Sequence, residues 1–405
     1  MIPTDLASAP LSPRLRPAAG LRWLDITKYF GADTGGIRTY LLAKAAWVAS
    51  DPTLAQVLVI PGEHDSVADA EGTRWYRVRG PRIPGQRSYR FLLDRARLAR
   101  VLGHERPDLV ELGSPFVVPW LTRRALAGHE IPVAWFYHTH LPRIVNPDGV
   151  GGSLWRRGAE RLAWAYVRAV ARGCRGTLAA SETLANELEA HRVPRVRRVS
   201  LGVDLDLFDP RRRVVAATTR ARYGLPPTPL VVYAGRLTPE KQLEVALEAW
   251  PAVAQVTGAT LVIVGHGPLE SRLKARYDAP GIRWLPFETD RDRLAYLLAA
   301  ADLYLAPGPA ESFGLAALEA LASGTPVLSV DRGGVAELVR RSGAGACYPV
   351  GNRTALADAC VALLAGQAEG MRGSARAYAE AHHAWPVVLG RLLEVYRSML
   401  GAANR

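Results

Sequence analysis

The stretch LYLAPGPAESFGLAALEALASGTPVLSV runs from Leu303 to Val330. It reads as a short apolar strand, a loop rich in Gly and Pro, an Ala/Leu helix opening near Phe313 or Gly314, and a second apolar strand from Pro326. Two strands joined by a helix form the repeating unit of a parallel α/β sheet, because parallel neighbours need a long crossover. Two carboxylates interrupt this apolar unit: Glu311 in the loop and Glu319 inside the helix. The first free N–H groups of such a helix attract an anion by hydrogen bonding and by the helix dipole. Gly314 would let a phosphate approach the backbone. At 1.5 Å per residue the two acids lie about 8–12 Å apart, so a diphosphate across the helix end would have one carboxylate near each of its substituents. The competing reading makes Glu311 a helix cap and Glu319 a solvated face residue.

Outward from this unit the same alternation continues. Apolar strand-like runs begin at Leu21, Gln56, Asp108, Val133 and Gly176 in the first half, and at Leu230, Thr260 and Ile282 in the second, separated by Ala/Leu/Arg-rich helical stretches. Each half makes one doubly wound sheet. A chain of 405 residues is too long for one ordinary core. The aperiodic segment LGVDLDLFDPRRR, Leu201 to Arg213, marks the boundary. The expected organisation is a disordered leader at 1–20, a Rossmann-like acceptor-binding domain at 21–203, a Rossmann-like donor-binding domain at 204–375, and a C-terminal helix at 376–405 crossing back to the first domain. Ligands of such sheets lie at the carboxyl ends of the strands, here in a cleft between two facing sheets.

Composition narrows the partners. Hydrophobic residues at 49% and charged residues at 22% are ordinary for a globular protein. Cys174, Cys347 and Cys360 have neither disulfide-framework nor zinc-site spacing, which suits a reducing compartment. The N-terminus lacks the apolar core of a signal peptide and no run reaches membrane-span length, so a cytoplasmic location is expected, with peripheral association at the inner face of the membrane as an extension. A net charge of +13 points to an anionic partner. No zinc-finger, RNP-like or basic-heptad pattern supports nucleic acid. A phosphorylated small molecule and an anionic membrane surface remain.

A second motif, AGRLTPEKQLEVALEAW, puts Arg236 just after a strand and Lys241 five residues on, two cations able to face one cleft. The ordered set then resembles the donor domain of retaining glycosyltransferases of family 4, enzymes of the GT-B type. It comprises G-R-x-x-x-x-K, the turn VGHGP with Gly265 and Gly267, and E-x-F-G-x-x-x-x-E with GTPV and the Gly333–Gly334 pair after it. The resemblance extends into the first half through DTGGIRTYL with Gly35 and Gly36, FYHTHLP with His138, and LGVDLDLF, and ends on HAWPVVLGRLLEVY.

The resemblance implies roles. Arg236 and Lys241 would neutralise the leaving diphosphate with the amides around Phe313, Gly314 and Leu315. Glu319 would accept from the ribose hydroxyls, and Glu311 and His138 would contact the transferred sugar. Gly35, Gly36, Gly265 and Gly267 would line the donor. The donor is expected to be a nucleotide diphosphate sugar, a UDP-sugar first, serving as substrate with no cofactor. No metal is expected, because the acids at Asp204–Asp206 and Asp290–Asp292 read as a linker turn and a helix cap. YHTHLP also resembles family members that glycosylate diacylglycerol, including sulfolipid synthases, which implies a lipid acceptor. Two Arg- and aromatic-rich stretches suit anionic headgroups. These are Arg87–Pro107, with Tyr89, Leu92, Leu93, Ala96, Ala99 and Leu102 on one helical face, and Ser153–Gly173. A soluble saccharide or small-molecule acceptor, or a GT-B sugar-nucleotide epimerase, are the alternatives.

Overall fold

The protein was analysed as a computed structural model whose described residues are 20–31, 35–84, 86–146 and 153–401, without the side chains of 86–88. All but the last residue of the expected leader, together with Asp33, Thr34 and the Arg87 side chain, lie outside them.

Ten strands of the first half are β1 (Leu21–Ile26), β2 (Leu54–Gly62), β3 (Ser66–Ala70), β4 (Thr73–Arg79), β5 (Arg82–Ile83), β6 (Gln86–Arg90), β7 (Leu109–Leu112), β8 (Val133–Phe136), β9 (Gly176–Ala179) and β10 (Val196–Arg198). Eight of them form one sheet in the order β10-β9-β8-β7-β1-β2-β4-β3, parallel except for β3 against β4, while β5 and β6 make a separate hairpin. The second half supplies β11 (Leu230–Ala234), β12 (Thr260–Val264), β13 (Ile282–Leu285), β14 (Leu303–Ala306), β15 (Val327–Val330) and β16 (Gly345–Tyr348). These form an all-parallel sheet in the order β13-β12-β11-β14-β15-β16. The fold is α/β with the two parallel sheets expected from the alternation, and of the GT-B type that the family resemblance implies. Central strands such as β1 and β11 are buried at every residue, which is why they read as unbroken apolar runs.

In each sheet the chain leaves its first strand to one side and later returns to the other. The switch falls between β1 and β7 in the first sheet and between β11 and β14 in the second. Such switch points open a crevice at the carboxyl ends of the strands. Residues following those ends meet across the two halves: Ser312 Oγ donates to the His138 carbonyl at 3.5 Å, and Ser181 Oγ donates to the Ser312 carbonyl at 2.8 Å. Glu337 of the helix Gly333–Ser342 accepts from the Glu182 and Thr183 amides at 3.1 and 2.9 Å, capping the helix Glu182–Ala190 of the other half.

The last two helices, Ala368–His383 and Trp385–Gly401, meet at a bend where Val203 N donates to the His383 carbonyl at 2.8 Å. The final helix reaches the first half. Tyr396 and the Lys44 ammonium hydrogen-bond at 2.8 Å, with Lys44 also 2.6 Å from Asp25 and 3.4 Å from Glu111, all four side chains being buried. Tyr396 and Tyr40 both donate to Glu111. Removing one member of such a buried ionic cluster costs about 3–5 kcal/mol, because its partners are left charged and unpaired.

The basic stretch at 87–107 does not form one helix. Residues 86–90 are β6, and the helix is only Arg95–Glu105, started by Asp94, whose carboxylate accepts from Arg97 N at 2.8 Å. Its buried face is Leu98, Val101, Leu102 and Glu105. Leu92 and Leu93 therefore precede the helix, one buried and the other exposed, rather than sharing a face. Local capping chemistry overrode an apolar spacing that extended too far back.

Candidate functional site

The site stands where the second sheet switches. After β11, Arg236 is 64% exposed, with Glu240 at 3.5 Å as its ion-pair partner. Lys241 closes the short turn Pro239–Lys241 ahead of the helix Leu243–Thr257, rather than sitting in that helix. After β14 the loop delivers Glu311, whose carboxylate pairs with the Lys241 ammonium. The resemblance assigned these two to different substrate groups; the structure pairs them with each other.

The helix of the opening motif is Leu315–Ala322, one or two residues later than expected. Gly314 caps it at φ 94°, and a Cβ there would lie 2.2 Å from a Val335 methyl. Glycine is required at 314 by the backbone turn and by packing, independently of any phosphate. Phe313 is buried against the ring of His383, so what it offers the cleft is its backbone. The first-turn N–H groups from Leu315 have no helical acceptors.

Glu319 is not a solvated face residue: its side chain is 4% exposed, and Arg291 Nη2 donates to its Oε1 at 2.9 Å. Burial raises its pKa, and Arg291 opposes the shift. Arg291, which also lies 5.0 Å from the centre of the Phe208 ring, was invisible to the sequence reading. It directly follows a helix-capping Asp290, and no local signal says that its helix, Arg291–Ala300, lies beside Leu315–Ala322. The Asp290 carboxylate accepts from the Asp292 and Arg293 amides at 2.9 and 3.2 Å, and Asp204 accepts from Asp206 and Leu207 at 3.2 and 2.9 Å. Both act as turn caps.

From the first half, His138 follows β8, stacked on Phe136 at 4.1 Å and tilted to Tyr40 at 5.5 Å. Its Nε2 is buried without a hydrogen-bond partner. Burial, with the nearby Lys44 charge, lowers its pKa to about 3, so the ring is neutral. Gly35 and Gly36 open the helix Gly36–Ala49, and a Cβ on Gly36 would touch the Leu315 side chain at 3.7 Å. The glycine-rich turn of one half therefore faces the helix N-terminus of the other. Gly265 and Gly267 pack against the 235–237 backbone, where a Cβ would meet the Gly235 carbonyl at 1.9 Å and the Leu237 carbonyl at 2.4 Å.

A cavity of about 380 Å³ borders Glu311 and Ser312 on one side and His140, Arg143, Ser181 and Glu187 on the other. A larger groove of about 580 Å³, beside Arg220 and Arg372, lies away from these residues. Of the residues expected at the site, Lys241 and Glu311 are in direct contact, Arg236 pairs with Glu240, Glu319 is buried with Arg291, and His138 reaches the second half through its carbonyl and Ser312. Cations and a helix N-terminus at the ends of such strands suit an anion.

The fold and cleft define a GT-B glycosyltransferase. Residues 34–207 match the family described as Glycosyltransferase Family 4, and residues 228–366 match Glycosyl transferases group 1. A GDP-mannose-dependent alpha-(1-6)-phosphatidylinositol dimannoside mannosyltransferase of Mycobacterium tuberculosis is 33% identical over 334 residues, 81% of this chain and 84% of that protein. Sulfoquinovosyl transferase SQD2 of Arabidopsis thaliana is 27% identical over 247 residues, 60% of this chain and 46% of that protein. Sucrose-phosphate synthase from Thermosynechococcus elongatus superposes with a TM-score of 0.77 at 20% identity, covering 94% of this chain and 100% of that one. The chain belongs to glycosyltransferase family 4.

Proposed function

We propose that the protein moves a hexose from a nucleoside diphosphate sugar to a hydroxyl on a lipid headgroup, with retention at the anomeric carbon and without a metal. The Lys241–Glu311 pair at the second sheet's switch point, where Arg236 also follows β11 and the helix at 315 follows β14, carries this reading. Arg236, Lys241 and the helix at 315 hold the diphosphate and stabilise its charge as it leaves. Glu319 takes a ribose hydroxyl, and Glu311 and His138 hold the sugar. No carboxylate is assigned as a nucleophile. The acceptor hydroxyl attacks from the side the diphosphate leaves, the departing phosphate oxygen takes its proton, and positioning supplies the rest of the barrier lowering.

The diphosphate, ribose and sugar contacts are the same for UDP and GDP. The UDP-sugar expected from sequence gives way to GDP-mannose as the preferred donor, because relatives named for GDP-mannose align over 81–84% of this chain. A lipid acceptor is favoured over a soluble one by the helix Leu154–Arg172, where Leu154, Trp155 and Leu162 are 85%, 70% and 73% exposed among Arg156, Arg157 and Arg161. Among the described residues no helix is long and apolar enough to cross a membrane, so attachment would be to the surface.

Nucleoside diphosphate release is measured across GDP-mannose and UDP-sugars, with and without vesicles of phosphatidylinositol or diacylglycerol in phosphatidylcholine. Release from GDP-mannose, stimulated by a lipid that becomes mannosylated, is the expected outcome. Sugar conversion without any acceptor would instead identify an epimerase, and stimulation only by soluble saccharides would remove the lipid.

A further inference from the structure

We propose that Lys28, cradled by Tyr29 and Phe116, forms a subsite that reads the phosphate of an anionic lipid headgroup presented as acceptor. This rests on the transferase reading above and names the chemical class of its acceptor. The location comes from topology. Lys28 and Tyr29 follow β1, and Ser114 and Phe116 follow β7, the two strands that flank the first sheet's switch point. Lys28 N donates to Ser114 Oγ at 3.1 Å, joining the two loops. The donor machinery stands at the other sheet's switch point, and Arg236 from that side is near enough to act on the Tyr29 and Tyr89 phenols.

The chemistry comes from what surrounds the ammonium. Lys28 Nζ lies 4.4 Å from the Phe116 ring centre and 5.0 Å from that of Tyr29, and Tyr29 meets Tyr89 edge-on at 5.3 Å. No carboxylate among the described residues pairs with it. Half-buried in this way, the ammonium keeps the cost of desolvation while, among the described residues, ring faces oppose it, and burial lowers its pKa. Arg236 adds positive potential opposite. A neutral headgroup would leave the ammonium unpaired, whereas a phosphate would pair it.

Phe116 points the same way. It adopts φ 73° and ψ −115°, a conformation that costs an aromatic residue energy, yet the residue is 43% exposed. Strain of this kind persists where neighbours hold it, and here Tyr166 OH donates to the Phe116 carbonyl at 2.7 Å. An aromatic ring on an exposed residue suits the C–H face of a cyclitol or sugar carrying the phosphate. Tyr166 sits one helical turn from exposed Leu162, so the apolar side of the helix Leu154–Arg172 leads toward the subsite. That continuity favours a phospholipid over free phosphate.

The test measures binding of three soluble probes by calorimetry: glycerophosphoinositol, myo-inositol and inorganic phosphate. GDP is held at saturation, or UDP if GDP does not bind, so that Arg236 and Lys241 are occupied. Glycerophosphoinositol is expected to bind the parent protein more tightly than either other probe. Lys28→Met should weaken it about 10-fold or more, Lys28→Arg should restore most of the affinity, and Phe116→Ala should bring it toward that of inorganic phosphate. Nucleotide affinity unchanged in each variant shows that the fold and donor site are intact. Equal binding of glycerophosphoinositol by parent and Lys28→Met, or no binding by the parent, overturns the subsite. Tightest binding of inorganic phosphate overturns the lipid source. Failure of the transferase reading would appear separately, as absence of nucleotide release with every donor.

Discussion

Glu311 and Glu319 differ in what the fold already does with them. Glu311 is held by Lys241, the cation proposed to meet the donor diphosphate, whereas Glu319 is buried with Arg291. Replacing Glu319 by Gln keeps its volume but removes charge-assisted hydrogen bonds worth about 1.5–3 kcal/mol, so affinity for the nucleoside diphosphate should fall about 10- to 150-fold. Glu311→Gln releases Lys241, and the same affinity should stay level or rise while turnover with the full donor drops sharply. Calorimetry with the nucleotide beside initial rates checks both; normal nucleotide binding by Glu319→Gln would remove it from the ribose. The acids that imitate metal-binding motifs already accept backbone N–H bonds. Transfer should therefore persist in excess EDTA, and activity that is lost and then restored by magnesium or manganese would show that a metal is needed.

At the scale of elements, the joint between the last two helices carries a pH signature. The His383 ring lies within hydrogen-bonding reach of the Leu201 carbonyl at 3.0 Å and packs on Phe313 and Tyr378, and burial lowers its pKa to about 4. The unfolded chain binds a proton at His383 below about pH 6.5, and the folded chain does so only near 4. Its contribution to stability is thus complete above pH 6.5 and is lost as pH falls toward 4. His138 has the same sign, and Glu111, raised by burial, has the opposite one. His383→Gln compared with the parent isolates one contribution: the urea midpoint of the variant should fall less steeply between pH 6.5 and 4. Parallel curves would mean that His383 does not titrate differently on folding.

For the whole molecule, the exposed apolar ridge and the basic charge belong to one prediction. The parent protein should bind vesicles containing anionic lipid and release them as salt rises, because exposed charges are screened over about 8 Å at physiological ionic strength. Burying Trp155 and Leu162 in the interface is worth about 1.5–3 kcal/mol each, so the double change Trp155→Ala, Leu162→Ala should weaken binding at least about 10-fold. Flotation with neutral and anionic vesicles reads this out. Equal flotation with both, or an unaffected double variant, would leave the ridge with no membrane role.

The ten strands read from the sequence all occur, most of them because a central strand is buried on both faces and must be apolar along its length, with β13 an edge strand that is only partly buried. β3, β4, β5, β6, β10 and β16 were not legible: short, part-exposed, polar or Gly-containing, they owe their existence to the strands they pair with. Motif order likewise carried the family, since Arg236 and Lys241 follow β11 and Glu311 and Glu319 follow β14, and the neighbouring of those two strands brings Lys241 onto Glu311. What the sequence could not contain is partnership across the chain. Arg291 meets Glu319 over 28 residues, Tyr396 meets Glu111 over 285, and Lys28 meets Phe116 only because β1 and β7 are neighbours in the sheet. Periodicity and capping act within a few residues and so determine the elements; burial and charge pairing act across whatever the strand order brings together, and only the tertiary structure sets that.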